Sequence, residues 1–409
     1  MTAMPAKPER KAAMRGGAIS STNFGLSGEH VALLDQMTRA ARTEFAGDSE
    51  RMDKNKWWPV DGFRRLAKLG ILGASVPEEH GGAGLDLFSA GLIGQALGRV
   101  EASVATSWQS HDNLCVNNIY RNASEAQRRK YLPGLCDGTR VGAIGMTEPT
   151  GGSDALGGMK ATARREGDHY VLNGTKIYIT NGPIADVVLV YVKTAPERGN
   201  KGISAFIVEK DFPGYTRSAP FDKMGIRGSP TGQLFFDDCK VPAANLLGAE
   251  NGGVAVMMSG LDIERAFASM SVLGIAERAL ELSIDYAKTR QQFGKPIGDF
   301  QMVQAKLAEM YVELEAAKLL CYRALAECND LAEGEGGRGD IHMLTAAAFM
   351  KAGETCMRIT DEAVQIHGGA GYMRDIEVNR LYRAAKIQEI GGGTKEIRRV
   401  IIAKELLRR

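Results

Sequence analysis

The sequence predicts a mainly helical α+β chain in the order α, then β, then α. Three observations carry that expectation. Apolar residues recur at helical spacing up to Leu132 and again beyond Pro242. Between Tyr131 and Pro242, short β-type runs bounded by Gly, Pro and Asn replace that period. No proline follows Pro296, which leaves the last part free to form long helices.

Taken in order, helical periodicity covers His30–Phe45, Asp61–Leu72, Phe88–Val100 and Glu125–Leu132. Glu166–Thr180 reads as a hairpin, with strands His169–Leu172 and Lys176–Thr180 flanking the turn pair Asn173-Gly174. Further β runs follow at Val187–Lys193, Ile203–Glu209 and Gln233–Phe236. In the last third Leu307, Met310, Leu314, Ala317 and Cys321 share one helix face, as a bundle requires. Glu333–Asp340, rich in Gly and Glu, is expected to be an exposed helix–helix loop.

With 409 residues the chain can build two or three domains. Its net charge of +2 with 24% charged residues gives no reason to expect a nucleic-acid or acidic-membrane partner. No run approaches the length of a membrane span. The tail up to Asn23 is basic but lacks an apolar core; a disordered start is favoured over a transit peptide. The expected location is a bacterial cytoplasm rather than the mitochondrial matrix. Six scattered cysteines without a CxxC pair read as free, mostly buried thiols, and the histidine spacing points to no metal site.

Several stretches could carry chemistry. Ser259–Met270 sets Glu264 among Ile263, Ala266, Phe267 and Met270. A carboxylate losing its hydration there would become a better base near neutral pH, although a solvated helix face ending in Arg265 fits the same stretch. Met146–Asp154 combines Gly151 and Gly152 with the hydroxyls of Thr147 and Ser153, suiting either a ligand or an ordinary turn. Tyr178 and Thr180, two apart on a strand, would put a ring and a hydroxyl on one side; a plain cross-strand pair is the alternative. Arg290 and Phe293 end a helix with groups suited to a phosphate and an aromatic ring. Gln365–Gly371 and Gly391–Glu396 are glycine-rich bends, the second just before a helix start that would attract phosphate. Gly334–Gly339 matches GxGxxG, but it is acidic and no strand precedes it, which argues against a dinucleotide site.

In this order and spacing the segments resemble the acyl-CoA dehydrogenase family from about Leu26 onward. The most specific parts are Met146–Asp154, Tyr178-Ile-Thr180, Arg290–Gly294, Gln365–Gly371 and Gly393–Arg399. The resemblance implies the acyl-CoA dehydrogenase fold. After a disordered tail (1–24) would come a helical N-terminal domain (25–142), a β-barrel-like middle domain (143–250) and a C-terminal four-helix bundle (251–409). It also implies FAD as cofactor, an acyl-CoA substrate, electron-transfer flavoprotein as electron acceptor, and a homotetramer built as a dimer of dimers. By the same resemblance Met146, Thr147, Tyr178 and Thr180 would surround the flavin ring, with Ser153 between flavin and CoA. Arg290, Phe293, Gln301, Gln365, Gly368 and Gly369 would reach FAD from the neighbouring subunit, and Thr394 and Glu396 would complete the site.

Most members of that family carry the catalytic base as a Glu in the C-terminal Gly-Thr loop; here the matching residue is Gly392. A minority branch that includes the isovaleryl-CoA enzymes carries it within a Leu-Asp-hydrophobe-Glu-Arg run, which Leu261–Arg265 matches. Glu264 is therefore the expected base, with Asp262 and Arg265 contacting CoA or holding the helix. Gly391, Gly392 and Gly393 would leave room for a short, branched acyl chain. Ala255, where isovaleryl enzymes tend to have Tyr, and Thr150-Gly151 depart from that pattern. The alternatives are a flavin-scaffold relative doing oxidase or elimination chemistry, or a non-catalytic acyl-CoA- or FAD-binding protein.

Overall fold

The computed structural model describes residues 26–329, 331 and 337–408. The N-terminal helices are α1 (Gly28–Phe45), α2 (Ser49–Asn55), α3 (Gly62–Lys68), α4 (Leu87–Val100), α5 (Ala102–Gln109), α6 (Asn118–Asn122) and α7 (Glu125–Cys136), with a π-helical stretch, Ser110–Asn117, between α5 and α6. Four of these starts are fixed by side chains: Ser27 accepts the His30 N–H, Asp86 the Ser89 N–H and Glu101 the Ser103 N–H, and Ser124 forms a reciprocal capping box with Gln127. The helix expected over Asp61–Leu72 is shorter. Gly70 and Gly73 take φ of +71° and +62°, so the chain leaves the helix while Ile71 and Leu72 still enter the core.

The middle of the chain is one eight-stranded sheet: β1 (Gly142–Gly145), β2 (Thr162–Glu166), β3 (His169–Thr180), β4 (Val187–Lys193), β5 (Ile203–Glu209), β6 (Tyr215–Arg217), β7 (Thr231–Pro242) and β8 (Leu246–Leu247). Strands follow the order β6-β7-β3-β2-β4-β5-β8, and β1 lies parallel to β4 off this path. The expected hairpin is corrected here. His169–Thr180 is a single strand, and the hairpin forms one turn earlier, between β2 and β3. Asn173-Gly174 instead marks a register shift against β7. A Cβ on Gly174 would lie 2.5 Å from Ala161 Cβ, so glycine serves close packing there rather than a turn. β4 and β5 are apolar on both faces because both are covered. Leu189 and Tyr191 pack against the N-terminal helices and the start of α8, while Val188 and Val190 face a second apolar cluster inside the sheet domain.

The remainder is helical, apart from a short two-stranded arm. α8 (Gly253–Thr289) is 37 residues long; the arm comprises β9 (Gln291–Gln292) and β10 (Lys295–Pro296); and α9 (Gln301–Asn329), α10 (Gly339–His367), α11 (Glu377–Ala385) and α12 (Lys395–Leu406) complete the chain. The stripe of Met310, Leu314, Ala317 and Cys321 is buried in a core shared by α4, α8, α9 and α10. At the crossing of α4 and α8 the backbones nearly touch: a Cβ on Gly274 would lie 2.6 Å from the Arg99 nitrogen. All six cysteines are free and buried. The expected exposed loop Glu333–Asp340 lies partly outside the described residues. Within the described part, Gly337 is buried and Arg338, Gly339 and Asp340 are exposed.

Candidate active site

Three segments far apart in sequence meet around Glu264. On α8, Ile263, Ala266, Phe267 and Met270 are buried in the core, while Glu264 retains some accessible surface. Among the described residues its carboxylate has no hydrogen-bond or ion-pair partner. Burial raises its pKa from 4.5 to about 7, while the charges of Arg265 and Arg398 pull the other way. Opposite stands the bend before α12. A Cβ on Gly392 would point to within 3.9 Å of Glu264 Oε1 and would meet the Phe349 ring of α10 at 2.9 Å. Gly392 also has φ +64°, so a side chain there would be strained as well as crowded.

Asp262 and Arg265 lie between α8 and α10. Asp262 is buried; it accepts the Gly337 N–H (2.5 Å) and the Thr345 hydroxyl (3.3 Å), and its carboxylate lies 2.7 Å from His342 Nδ1. The Arg265 guanidinium lies 3.7 Å from Asp262 and 3.3 Å from His342. Those contacts tie α8 to α10 two residues before and one residue after the unpaired acid, and they occupy Asp262 inside the fold.

The wall next to this cluster comes from the sheet. Met146 joins Tyr191 and Met257 in one apolar cluster, two helical turns before Glu264. Thr147 is held beside β3 because the Ile177 N–H donates to its carbonyl at 2.9 Å. Underneath, Lys176 and Glu148 form a buried ion pair at 2.7 Å; Glu148 also accepts the Lys160 and Ala161 N–H groups, and Lys176 reaches the Met146 carbonyl. Burial lowers the Lys176 pKa, with Glu148 opposing it. Sequence reasoning passed over this pair, since a lysine in a strand reads as a solvated face.

Tyr178 departs from regular alternation: it has φ +60° at a register shift between Lys176 and Ile179, and its ring is 67% exposed. Simple strand geometry therefore does not put it on the same side as Thr180, which is half-buried. Thr394 caps α12 by accepting the Ile397 N–H, and Glu396 lies in its first turn. Ser153 is exposed on the loop after Glu148.

Arg290, Phe293, Gln301, Gln365, Gly368 and Gly369 lie elsewhere. All are exposed at the other end of the bundle, where Phe293 and Gly294, both with positive φ, form the tip of the two-stranded arm. Along α8 that end is about 39 Å from Glu264 at 1.5 Å per residue. One chain therefore does not bring these residues to the Glu264 cluster.

Profiles of the acyl-CoA dehydrogenase N-terminal, middle and C-terminal domains match residues 27–139, 143–239 and 251–407. The chain belongs to the acyl-CoA dehydrogenase family. It is 41% identical to the mitochondrial isovaleryl-CoA dehydrogenase of Pongo abelii, over 93% of this chain and 89% of that protein. Butyryl-CoA dehydrogenase from Megasphaera elsdenii superposes with a TM-score of 0.88 at 38% identity, over 94% of this chain and all of that one. A chain from structural work on the electron transferring flavoprotein of Acidaminococcus fermentans gives 0.89 at 38% identity, over 95% of this chain and all of that one. Acyl-CoA dehydrogenases are flavoproteins, and this chain is an oxidoreductase of acyl-CoA thioesters. An exposed aromatic ring, the hydroxyls of Thr147, Thr180 and Ser153, and a capped helix start are group types suited to a flat heterocycle joined to phosphates.

Proposed function

We propose that the protein is an FAD-dependent dehydrogenase that converts a short, branched acyl-CoA to the trans-2-enoyl-CoA, with Glu264 as the base. Bound FAD would supply the acceptor for the β-hydride at N5. The protein's own part is to take the α-proton: the free carboxylate of Glu264 gains that proton and becomes the neutral acid. The observation carrying this reading is that an unpaired, partly accessible carboxyl with a pKa near 7 lies where the side-chain direction of Gly392 also points. Asp262 and Arg265 fix the helix on which the base is mounted.

The branched acyl preference rests on Gly391 and Gly392, which place no side chain of their own beside Glu264, and on the isovaleryl-CoA dehydrogenase among the relatives. Met146, Thr147, Tyr178, Thr180, Ser153, Thr394 and Glu396 would hold the flavin from this chain. Arg290, Phe293, Gln301, Gln365, Gly368 and Gly369 would hold it from a second copy, in a homotetramer. Electron-transfer flavoprotein is the proposed acceptor, and a bacterial cytoplasm the proposed location.

The test is anaerobic flavin bleaching by a panel of straight, α-branched and β-branched acyl-CoAs. Glu264→Gln should keep yellow FAD and bind acyl-CoA, while the bleaching rate falls by about 10² to 10⁴. Bleaching near the wild-type rate would place the base elsewhere.

A further inference from the structure

We propose that Arg398 is a positioning residue for this reaction: it holds the glycine bend and the Phe349 ring around Glu264 and supplies the counter-charge of that carboxylate. The proposal rests on Glu264 being the base.

Arg398 lies on α12 and is 0% exposed, one of the largest fully buried side chains. Its guanidinium donates to the carbonyls of Gly391 (2.5 Å), Gln388 (2.9 Å) and Phe349 (3.4 Å), and its carbon stands 3.6 Å over the Phe349 ring. The two groups that a Gly392 Cβ would approach are Phe349 and Glu264. One side chain thus ties down both the bend and the ring that shape the space beside the base.

Charge balance gives the second half. A buried cation needs an anion, yet among the described residues no carboxylate lies within ion-pair distance of Arg398. The acids whose charge favours its ionised form are Glu264, Glu354 and Glu389. Glu354 already pairs with Arg399, and Glu389 with Lys386 and Lys395. Arg265, the other cation acting on Glu264, pairs with Asp262. Tyr191 of β4, the further titratable group within reach of the carboxylate, is buried and neutral, with a hydroxyl that lacks a partner. What remains uncompensated is Arg398 on one side and Glu264 on the other. Arg398 therefore favours the ionised base without clamping it in a salt bridge, which leaves the oxygens free to take a proton.

The experiment follows flavin reduction by a substrate acyl-CoA against pH, together with amide hydrogen exchange of residues 390–394, in the FAD-loaded enzyme. Arg398→Met should move the acid limb of the rate profile up by about one unit, because the base loses its counter-charge. It should also raise exchange in the bend at least tenfold. Arg398→Lys keeps a cation but not the three-carbonyl fork; its acid limb should stay in place while bend exchange rises. An unmoved limb in Arg398→Met would reduce Arg398 to a structural staple and overturn the proposal, as would unchanged exchange. If Arg398→Met does not fold, Arg398→Lys decides alone: a displaced limb or a quiet bend overturns it. Glu264→Gln keeps the two claims apart, since fast flavin reduction in that variant would refute the base whatever Arg398 does.

Discussion

The two ends of α8 pose opposite problems. Near Glu264 the helix is surrounded by its own chain: the sheet, α10, the glycine bend and α12 all close on one carboxyl. At Arg290 the same helix runs out into a two-residue-tipped arm, with Phe293 93% exposed. A partly buried carboxyl with a raised pKa and no hydrogen-bond partner among the described residues is equipped to take a proton. At the arm the Arg290 side chain has no hydrogen-bond or ion-pair partner among the described residues, and the Phe293 ring meets Phe300 edge-on at 6.0 Å. The difference teaches that the Glu264 cluster is assembled within one chain, whereas the arm presents its side chains outward.

The sharpest way to break that contrast is to delete the arm's two exposed side chains. Arg290→Ala with Phe293→Ala removes a phosphate-type donor and a stacking ring, each contributing about 1–3 kcal/mol to a bound nucleotide. FAD affinity should fall by about 10² to 10³, read from flavin retained through gel filtration. Because both residues are exposed, apoprotein unfolding in urea should change by less than about 0.5 kcal/mol. Normal flavin retention would mean the arm serves another purpose.

Between the two ends lies the crossing with α4, and it sets where both of them stand. Gly274→Ala puts a methyl against the Gln95 carbonyl and the Arg99 nitrogen, so the helices must separate. Overpacking of this kind costs about 1–3 kcal/mol. Stability should drop by about 2 kcal/mol in urea unfolding, and both flavin retention and bleaching rate should suffer together. A loss confined to one of them would show that the ends are positioned independently.

Much of this was legible in the residues, for reasons that also explain the misses. The α–β–α order followed from period and proline use, whereas Leu261–Arg265 with Gly392 pointed at Glu264 only through the family resemblance, since the stretch by itself fits a solvated helix face as well. Asn173-Gly174 misled because a turn pair and a bulge share the same residue types; only the strand partner, β7, distinguishes them. Arg398 gave no signal, since beside Arg399 it reads as one more solvated charge, and its burial depends on the bend folding back over α12. Lys176 and Glu148 were silent for the same reason, the charge of each being matched by the other from a distant segment. Gln365 and Arg290 share one exposed end of the bundle, but nothing in one sequence says what covers it.

The smallest expected effect tests the buried end without any substrate. Glu264 is protonated more readily in the fold (about 7) than in the unfolded chain (4.5). The native state therefore binds more protons between these values, and stability falls as pH rises from about 4.5 to 7. His111 runs the other way. Its Nδ1 accepts the Gly142 N–H at 2.8 Å, and burial lowers its pKa from 6.5 to about 4, so its contribution is lost as pH falls from 6.5. A wild-type pH profile would mix the two, and the comparison with Glu264→Gln isolates the carboxyl because His111 is common to both. Allowing for its partial accessibility, the apo Glu264→Gln protein should match wild type near pH 5 and exceed it by about 1–2 kcal/mol at pH 8. Urea unfolding at both pH values measures it. Equal stability at pH 8 would mean that Glu264 is already solvated before substrate arrives, and the base end of α8 would then resemble the arm end more than its packing suggests.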